Sequence, residues 1–377
     1  MAILATQTGA QPVLQQLPQP YSQANSQLYS QLYSQPYSQA NSQLYSQLYS
    51  QPGRLRIALW HTGLGRRGPG LFLQDIRREA PDILAAYDTL VALAPDVLIL
   101  LDMDFDHDGM ALAAFADALA GAGLDLPYRF APRPNTGMAT GVDMDGDGRL
   151  GTADDAQGWA RFAGSGGIAL LSRWPLDIGT LRDNSTYLWR DLPGTQLPMQ
   201  GGQPFPNAAV FDIQRLASTG AWEIGVTAPG QRLTVMTWHA GPPAFGGAQA
   251  RNRLRNAAEN DFWRLRLDGA LGPAPQTPFV LLGDANLDPA RGDGDGAVIS
   301  RLLAHPSLQD PAPTAPLPPA GVPPDATANW PDGPGALREQ YLLPSADLRV
   351  LDAGVIWPDE TATHALLWAD LAWPPRP

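Results

Sequence analysis

The segment PYSQANSQLYSQLYSQ runs from Pro20 to Gln35 and recurs unchanged from Pro36 to Gln51. Its subunit is four residues, x-Tyr-Ser-Gln or Ala-Asn-Ser-Gln. A polar repeat this short cannot bury enough apolar surface to offset the entropy of ordering the chain. It is also far shorter than a solenoid unit of about 20 residues or more. Residues 1–52 therefore read as a disordered or polyproline-like tail, the alternative being a Tyr/Gln interaction tract. Folding is confined to residues 53–377.

The texture after Arg54 is globular. Arg54 to Trp60 reads as a strand, Leu71 to Tyr87 as a helix, and Asp96 to Leu101 as a strand buried on both faces. Met110 to Ala120 reads as a helix that Gly121 is placed to end. Further strands are expected at Gly167–Leu171, Gln231–Trp238, Phe279–Leu282, Leu348–Ile356 and Ala365–Leu371, with an amphipathic helix at Arg251–Asp268. Pro311 to Pro334 reads as a long surface loop. Strands first alternate with helices and then dominate, which fits one α/β (α+β) domain with a mixed sheet.

Composition narrows the function. Net charge is −12, and all 25 basic residues are arginine. An acidic chain is repelled by phosphate backbones, which argues against non-specific nucleic-acid binding. A phosphate substrate must be met by local arginines or a metal. Cysteine is absent, so disulfides and thiolate metal sites are excluded. No run of 18 uncharged apolar residues predicts a membrane span.

Chemistry collects at the ends of the expected strands. Of five histidines, His61 and His239 follow strand-like runs and His364 precedes one. Asp102 ends the run Val97–Leu101, where a carboxylate suits an oxygen-preferring cation. Gly283-Asp284-Ala285-Asn286 follows Phe279–Leu282. That spacing puts a carboxylate and an amide on one rim, able to position a water and contact a phosphoryl oxygen. The alternative is an Asx-turn that ends the strand.

In sequence order these pieces resemble the endonuclease/exonuclease/phosphatase superfamily. Arg56–Leu64 is similar to its opening strand, and Pro95–Asp102 to the strand ending in a metal-binding acid. Gly166–Pro175 resembles "GGVAILSRYP", and Thr234–His239 the strand with a catalytic histidine. Gly283–Asn286 matches GDxN, Arg338–Ser345 resembles "RIDYIL-S", and Ala362–His364 stands at the terminal Ser-Asp-His. The segments "GPGL-L-DI", "FDHDG", "DMDGDGRLG" and "LLGDANLDP" look like a bacterial branch of it. The resemblance implies a four-layer α/β sandwich of the DNase I-like type and metal-assisted attack of water on a phosphoester. It implies that His364 faces the scissile phosphate and His239 stabilises the transition state. Asp284 would position the water, Asn286 would contact the phosphate, and Asp102 with His61 would hold magnesium or manganese, or zinc.

Three positions depart from that pattern. His61 stands where the superfamily has Asn, Thr363 where it has Asp, and Gln340 where it has Asp. Losing carboxylates weakens magnesium binding, and an imidazole favours a transition metal. The alternative is a catalytically decayed, calcium-stabilised binding protein on the same fold.

Asp143-Met-Asp145-Gly-Asp147-Gly-Arg149-Leu-Gly-Thr-Ala-Asp154 has the spacing of a calcium loop. Carboxylates take positions 1, 3, 5 and 12, Gly148 takes position 6, and Arg149 would offer its backbone carbonyl at position 7. Asp104, Asp106 and Asp108 begin a similar pattern, but its twelfth position is Phe115. Substrate contacts are expected from Asn135, Arg161, Arg251 and Arg255, the alternative being surface arginines paired with acids. Met1 to Pro20 lacks the order of a secretory leader. The calcium loop nevertheless suits millimolar external calcium, so an extracytoplasmic protein is expected, and a monomer.

Overall fold

The computed structural model describes residues 53–374, so the repeat and the rest of 1–52 lie outside the described residues. β1 (Arg54–His61) is followed by α1 (Leu71–Arg77), α2 (Pro81–Leu93), β2 (Val97–Met103), α3 (Met110–Ala122), β3 (Tyr128–Phe130) and β4 (Gly167–Ser172). Next come β5 (Leu176–Asp183), β6 (Met199–Gln200), β7 (Gln203–Pro204), β8 (Gly220–Ala228), β9 (Gln231–His239), α4 (Arg251–Leu267), β10 (Phe279–Asp284) and α5 (Gly296–Leu303). The chain ends in β11 (Ala328–Trp330), β12 (Gly335–Leu337), β13 (Gln340–Pro344), β14 (Val350–Ile356) and β15 (Leu366–Ala372).

Two sheets carry the domain. The first has the order β14-β15-β1-β2-β4-β3 and the second β13-β10-β9-β8-β5. β1 and β2 run parallel at the centre of the first, and β9 and β10 run parallel in the second. Their residues are apolar on both faces because each sheet is covered on both sides. Leu55, Ile57, Leu59, Val97 and Ile99 of the first sheet share one core with Trp222, Ile224, Val235, Val280 and Leu282 of the second. On its other face the second sheet packs Met236, Trp238 and Leu281 against Phe262 and Trp263 of α4 and Ile299 of α5. Helices, two sheets and helices make the four-layer sandwich of the DNase I-like type.

The helix expected over Leu71–Tyr87 is two helices. Pro81 has no N–H to donate and disfavours helical geometry at Ala80, so it starts α2 instead of continuing α1. Gly121 does not end α3: the helix runs to Ala122, and Gly123, at φ 116°, takes the left-handed terminal position. The stretch Pro311–Pro334 is not merely surface. It buries Ala315, Ala326, Thr327 and Ala328 and contributes β11.

Candidate active site

The site is assembled at strand ends from both sheets. Asp284 lies opposite His239 across β10–β9 and opposite Gln340 across β10–β13, so the three form a row across neighbouring strands. Gly283 makes that row possible, because a Cβ there would sit 2.2 Å from the carbonyl oxygen of Trp238. Beyond the row the chain turns sharply. Asn286 takes φ 47°, its N–H donates to Asp284 Oδ1 at 2.7 Å, and its Nδ2 donates to the Ala240 carbonyl at 2.9 Å.

The polar residues buried on α4 hold these turns. Asn256 Nδ2 donates to the carbonyls of Gly241 and Ala285, both at 2.8 Å. Asn260 Nδ2 donates to Ala285 at 3.0 Å and its Oδ1 accepts from Trp238 Nε1 at 3.1 Å. Glu259 accepts from Gly241 N–H at 2.9 Å, and burial pushes its carboxyl up to about 7. The amide N–H groups of both residues are engaged, and they fix the loops that follow β9 and β10.

The first sheet supplies His61, Asp102 and His364. The ring of His61 stacks on His364 at 3.8 Å between centroids and meets His239 edge-on at 5.1 Å. Trp330 closes on His364 edge-on at 5.1 Å. Gln340 Nε2 donates to His364 Nδ1 at 3.0 Å and also faces the Thr327 carbonyl at 3.3 Å. A carbonyl can only accept, so the amide nitrogen is the atom that faces both groups. His364 Nδ1 is then the acceptor, and its proton sits on Nε2.

Burial keeps all three imidazoles neutral at neutral pH. It lowers His61 to about 4 and, with His61 nearby, His239 to about 3. His364 is held well below its ordinary value by burial and then by the other two histidines. Asp284 is pushed well above the ordinary carboxylate range, first by burial and then by Glu339. Nδ1 of His61, Nδ1 of His239 and Oδ2 of Asp284 are buried without a hydrogen-bond partner.

Asp102 stands apart from that trio. It takes φ 57° at the end of β2, with its carboxylate pressed between Gly65 and Gly166. A Cβ at Gly65 would lie 2.5 Å from its Oδ1, and one at Gly166 2.9 Å. Gly65 N–H donates to its Oδ2 at 3.1 Å, and burial raises it to about 6 against the pull of that N–H and of Arg66. Asp104 is committed to the N–H groups of Arg66 and Gly166. Asp106 caps α3 through Met110 and Ala111 N–H, so the second acidic run serves the helix end. Thr363 is exposed.

A cleft of about 650 Å³ opens beside this site. Arg66, Asp102, Asp154, Arg161, His239 and Arg251 line it, with Trp159 and Phe245 exposed at its rim. Arg161 and Arg251 thus stand on the cleft wall, and Arg251 Nε is buried without a partner. Arg255 also borders the cleft, but its Nε and Nη2 donate to the carbonyls of Leu216, Gln157, Arg215 and Ala217. Asn135 corrects the sequence expectation of a substrate contact. It is fully buried, its Nδ2 donates to Ser185 and Ala217 carbonyls, and its Oδ1 accepts from Arg215, so it braces loops. Thr327, Trp330, Glu259 and Glu339 belong to the site or its support, and the sequence reading missed them. Their one legible signal was the run of polar residues, Asn256, Glu259 and Asn260, on the face of α4 that also carries Phe262 and Trp263.

The acidic loop adopts a cation-loop shape. Carboxylate oxygens of Asp143, Asp145 and Asp147 lie within 4.8 Å of one another. Asp143 accepts from Gly146 and Gly148 N–H, and Asp147 accepts from Arg149 N–H. Asp154 lies outside that trio and faces the cleft, whereas Asp155 is buried and accepts from Met144 and Thr152. The Arg149 side chain is exposed.

The profile of the Endonuclease/Exonuclease/phosphatase family matches residues 67–364. The chain belongs to this family. Members of the endonuclease/exonuclease/phosphatase family are in general hydrolases of phosphoester bonds and typically use divalent metal ions. No curated protein matches the chain in sequence. Among solved structures it is similar to the endonuclease/exonuclease/phosphatase from Beutenbergia cavernae, at TM-score 0.51 and 19% identity, over 85% of this chain and 72% of that one. It is also similar to the human Nocturnin catalytic domain with bound sulfate anion (TM-score 0.47, 14% identity, 85% and 93% covered). A third is sphingomyelinase C from Streptomyces griseocarneus (TM-score 0.45, 18% identity, 84% and 99% covered). The first supports the fold. Among the described residues no helix is long and apolar enough to cross a membrane.

The oxygen-held magnesium that the resemblance places at Asp102 does not fit the residues present. Magnesium takes near-octahedral oxygen ligands. Here Asp102 is one carboxylate already engaged by Gly65, its neighbour Asp104 is committed elsewhere, and His61 and Thr363 offer no carboxylate.

Proposed function

We propose that the chain is a metal-dependent phosphoester hydrolase, a phosphodiesterase or phosphomonoesterase that uses water attack on phosphorus. The observation that supports this best is the meeting of His61, His239, Asp284 and His364 beside an arginine-lined cleft. Asp284, fixed through Asn286 N–H, positions the attacking water. His239, in register with it, sits by the phosphoryl group. His364, with its proton on Nε2, donates to a phosphate oxygen, and Gln340 holds that tautomer. Arg161 and Arg251 balance the substrate's charge where the protein as a whole is acidic. A divalent ion, when bound, supplies Lewis-acid polarisation of the ester and a more acidic water.

The second reading, a binding protein that has kept the fold, is favoured by Gln340 and Thr363 standing where carboxylates are expected. We assign calcium to the loop Asp143–Asp154 and, from that loop, an extracytoplasmic location. The test is hydrolysis of bis-p-nitrophenyl phosphate and p-nitrophenyl phosphate by the full chain with Mg²⁺, Mn²⁺, Zn²⁺ or Ca²⁺. Metal-dependent turnover abolished by His239→Ala and by Asp284→Ala is expected. No turnover with any of the four metals refutes the enzyme.

A further inference from the structure

We infer that the resident ion is a transition metal of the zinc, manganese or iron kind, held by His61, His239 and Asp284 and not by the Asp102 end of the cleft. The inference rests on the phosphoesterase reading for its purpose but on separate observations for its place.

The first observation is geometric. One potential donor atom from each of the three side chains lies within 4.8 Å of the others. Three atoms so spaced always share a point no farther than about 2.8 Å from each, which is 4.8 Å over the square root of three. Bonds from zinc to imidazole nitrogen or carboxylate oxygen are roughly 2.0–2.2 Å. Each side chain must therefore close by at most about 0.8 Å, which small torsional adjustments supply.

The second observation is the accounting of polar atoms. Asp284 has no exposed surface, yet its Oδ2 meets no donor. Nδ1 of His61 and Nδ1 of His239 are likewise buried and unpartnered. A buried polar atom left unpaired has given up its bonds to water with nothing in return. An ion between the three side chains supplies the partner that Asp284 Oδ2 lacks. Asp284 Oδ1, in contrast, is tied to Asn286 N–H, which is the outer-shell anchoring that orients a metal-binding carboxylate.

The third observation is donor chemistry. Two imidazoles and a carboxylate select zinc, manganese or iron over magnesium and calcium, which prefer oxygen. His364 is excluded through Nδ1, which Gln340 occupies, and stays available to substrate. With the ion bound, Asp284 and His239 would hold it, and it would supply the polarisation of water and phosphate.

The experiment is titration of the chelator-stripped full chain with Co²⁺ alone, read by visible d–d absorption. One equivalent should bind with a spectrum of nitrogen and oxygen ligands. His61→Asn and His239→Ala should each weaken it by more than about a hundredfold, since even outer-shell losses cost 10–100-fold. Asp102→Asn and Asp143→Ala should leave the affinity unchanged. His61→Asn is the decisive variant, because His61 is only partly buried and its thermal melt shows whether the fold survives. Binding that is indifferent to His61 and His239, or lost in Asp102→Asn, overturns the assignment. Hydrolysis supported by Mg²⁺ through Asp102 would then leave the phosphoesterase standing without this site. Binding as expected with no phosphoester turned over would keep the site and refute the enzyme.

Discussion

Gly283→Ala is the substitution whose effect follows most directly from the strand geometry. The added carbon would stand 2.2 Å from the Trp238 carbonyl oxygen and 2.6 Å from the Trp238 ring. Relief to an ordinary contact needs about 1 Å of separation between β9 and β10, and backbone offers no rotamer that provides it. Overpacking of this kind costs about 1–3 kcal/mol, and a clash with backbone belongs at the upper end. At about 2 °C per kcal/mol for a domain this large, melting should fall by about 6 °C. Because the Gly283–Trp238 pair immediately precedes the Asp284–His239 pair, a displacement near 1 Å should also lower kcat/KM by about a hundredfold. Differential scanning calorimetry and steady-state hydrolysis of bis-p-nitrophenyl phosphate measure the two effects. A variant that melts within about 1 °C of the parent and keeps its activity would refute the close approach and the register argument built on it.

Other perturbations separate the remaining roles. In the metal-free protein His239 has a folded value of about 3 against an unfolded 6.5, so the unfolded chain takes up its proton first. Its contribution is intact above pH 6.5 and is lost as pH falls below it, by up to about 1.4 kcal/mol per unit. His239→Gln should therefore flatten the acid limb of urea stability, and an unchanged limb would contradict the neutral ring. Burial raises Asp102 and Glu339 to about 6, so their effects run the other way and are read as the common background of both proteins. Calcium at ten times its dissociation constant should stabilise the parent by about 1.4 kcal/mol and leave Asp145→Ala unmoved, as thermal shifts will show. Asn135→Ala removes three buried hydrogen bonds and should destabilise by about 2–4 kcal/mol while KM stays constant; a raised KM would return Asn135 to the substrate.

What the sequence revealed was the part carried by local runs. β1, β9 and β10 end at His61, His239 and Asp284, and β2 one residue past Asp102, each after a largely buried run, so strand and site residue were legible together. β5 escaped notice because it is largely half-exposed and mixed in polarity, so it carries no clean alternation. The α1–α2 break was written in Pro81 but masked by the apolar positions running through it. Long-range pairings were out of reach: that Gln340 would face His364, or that Thr327 would receive the N–H groups of Glu339 and Gln340, depends on how β13 and β11 return to the site. Arg255 looked like a cleft arginine by its place in sequence, whereas its direction toward four carbonyls is set by the loop on which they sit.

His61 ends a strand of one sheet and His364 lies two residues before another of its strands, while His239 and Asp284 end strands of the other, so the site straddles a seam. Its dimensions are set by how the two sheets seat on each other across Leu59, Ile99, Val235 and Leu282, none of which needs to touch a ligand. Slippage along that dry interface would open or close the gap between the histidines without disturbing either half. Inter-sheet core volume is thus a tuning screw for chemistry carried out at the rim. A change in a buried leucine there would reposition the site residues without replacing any of them.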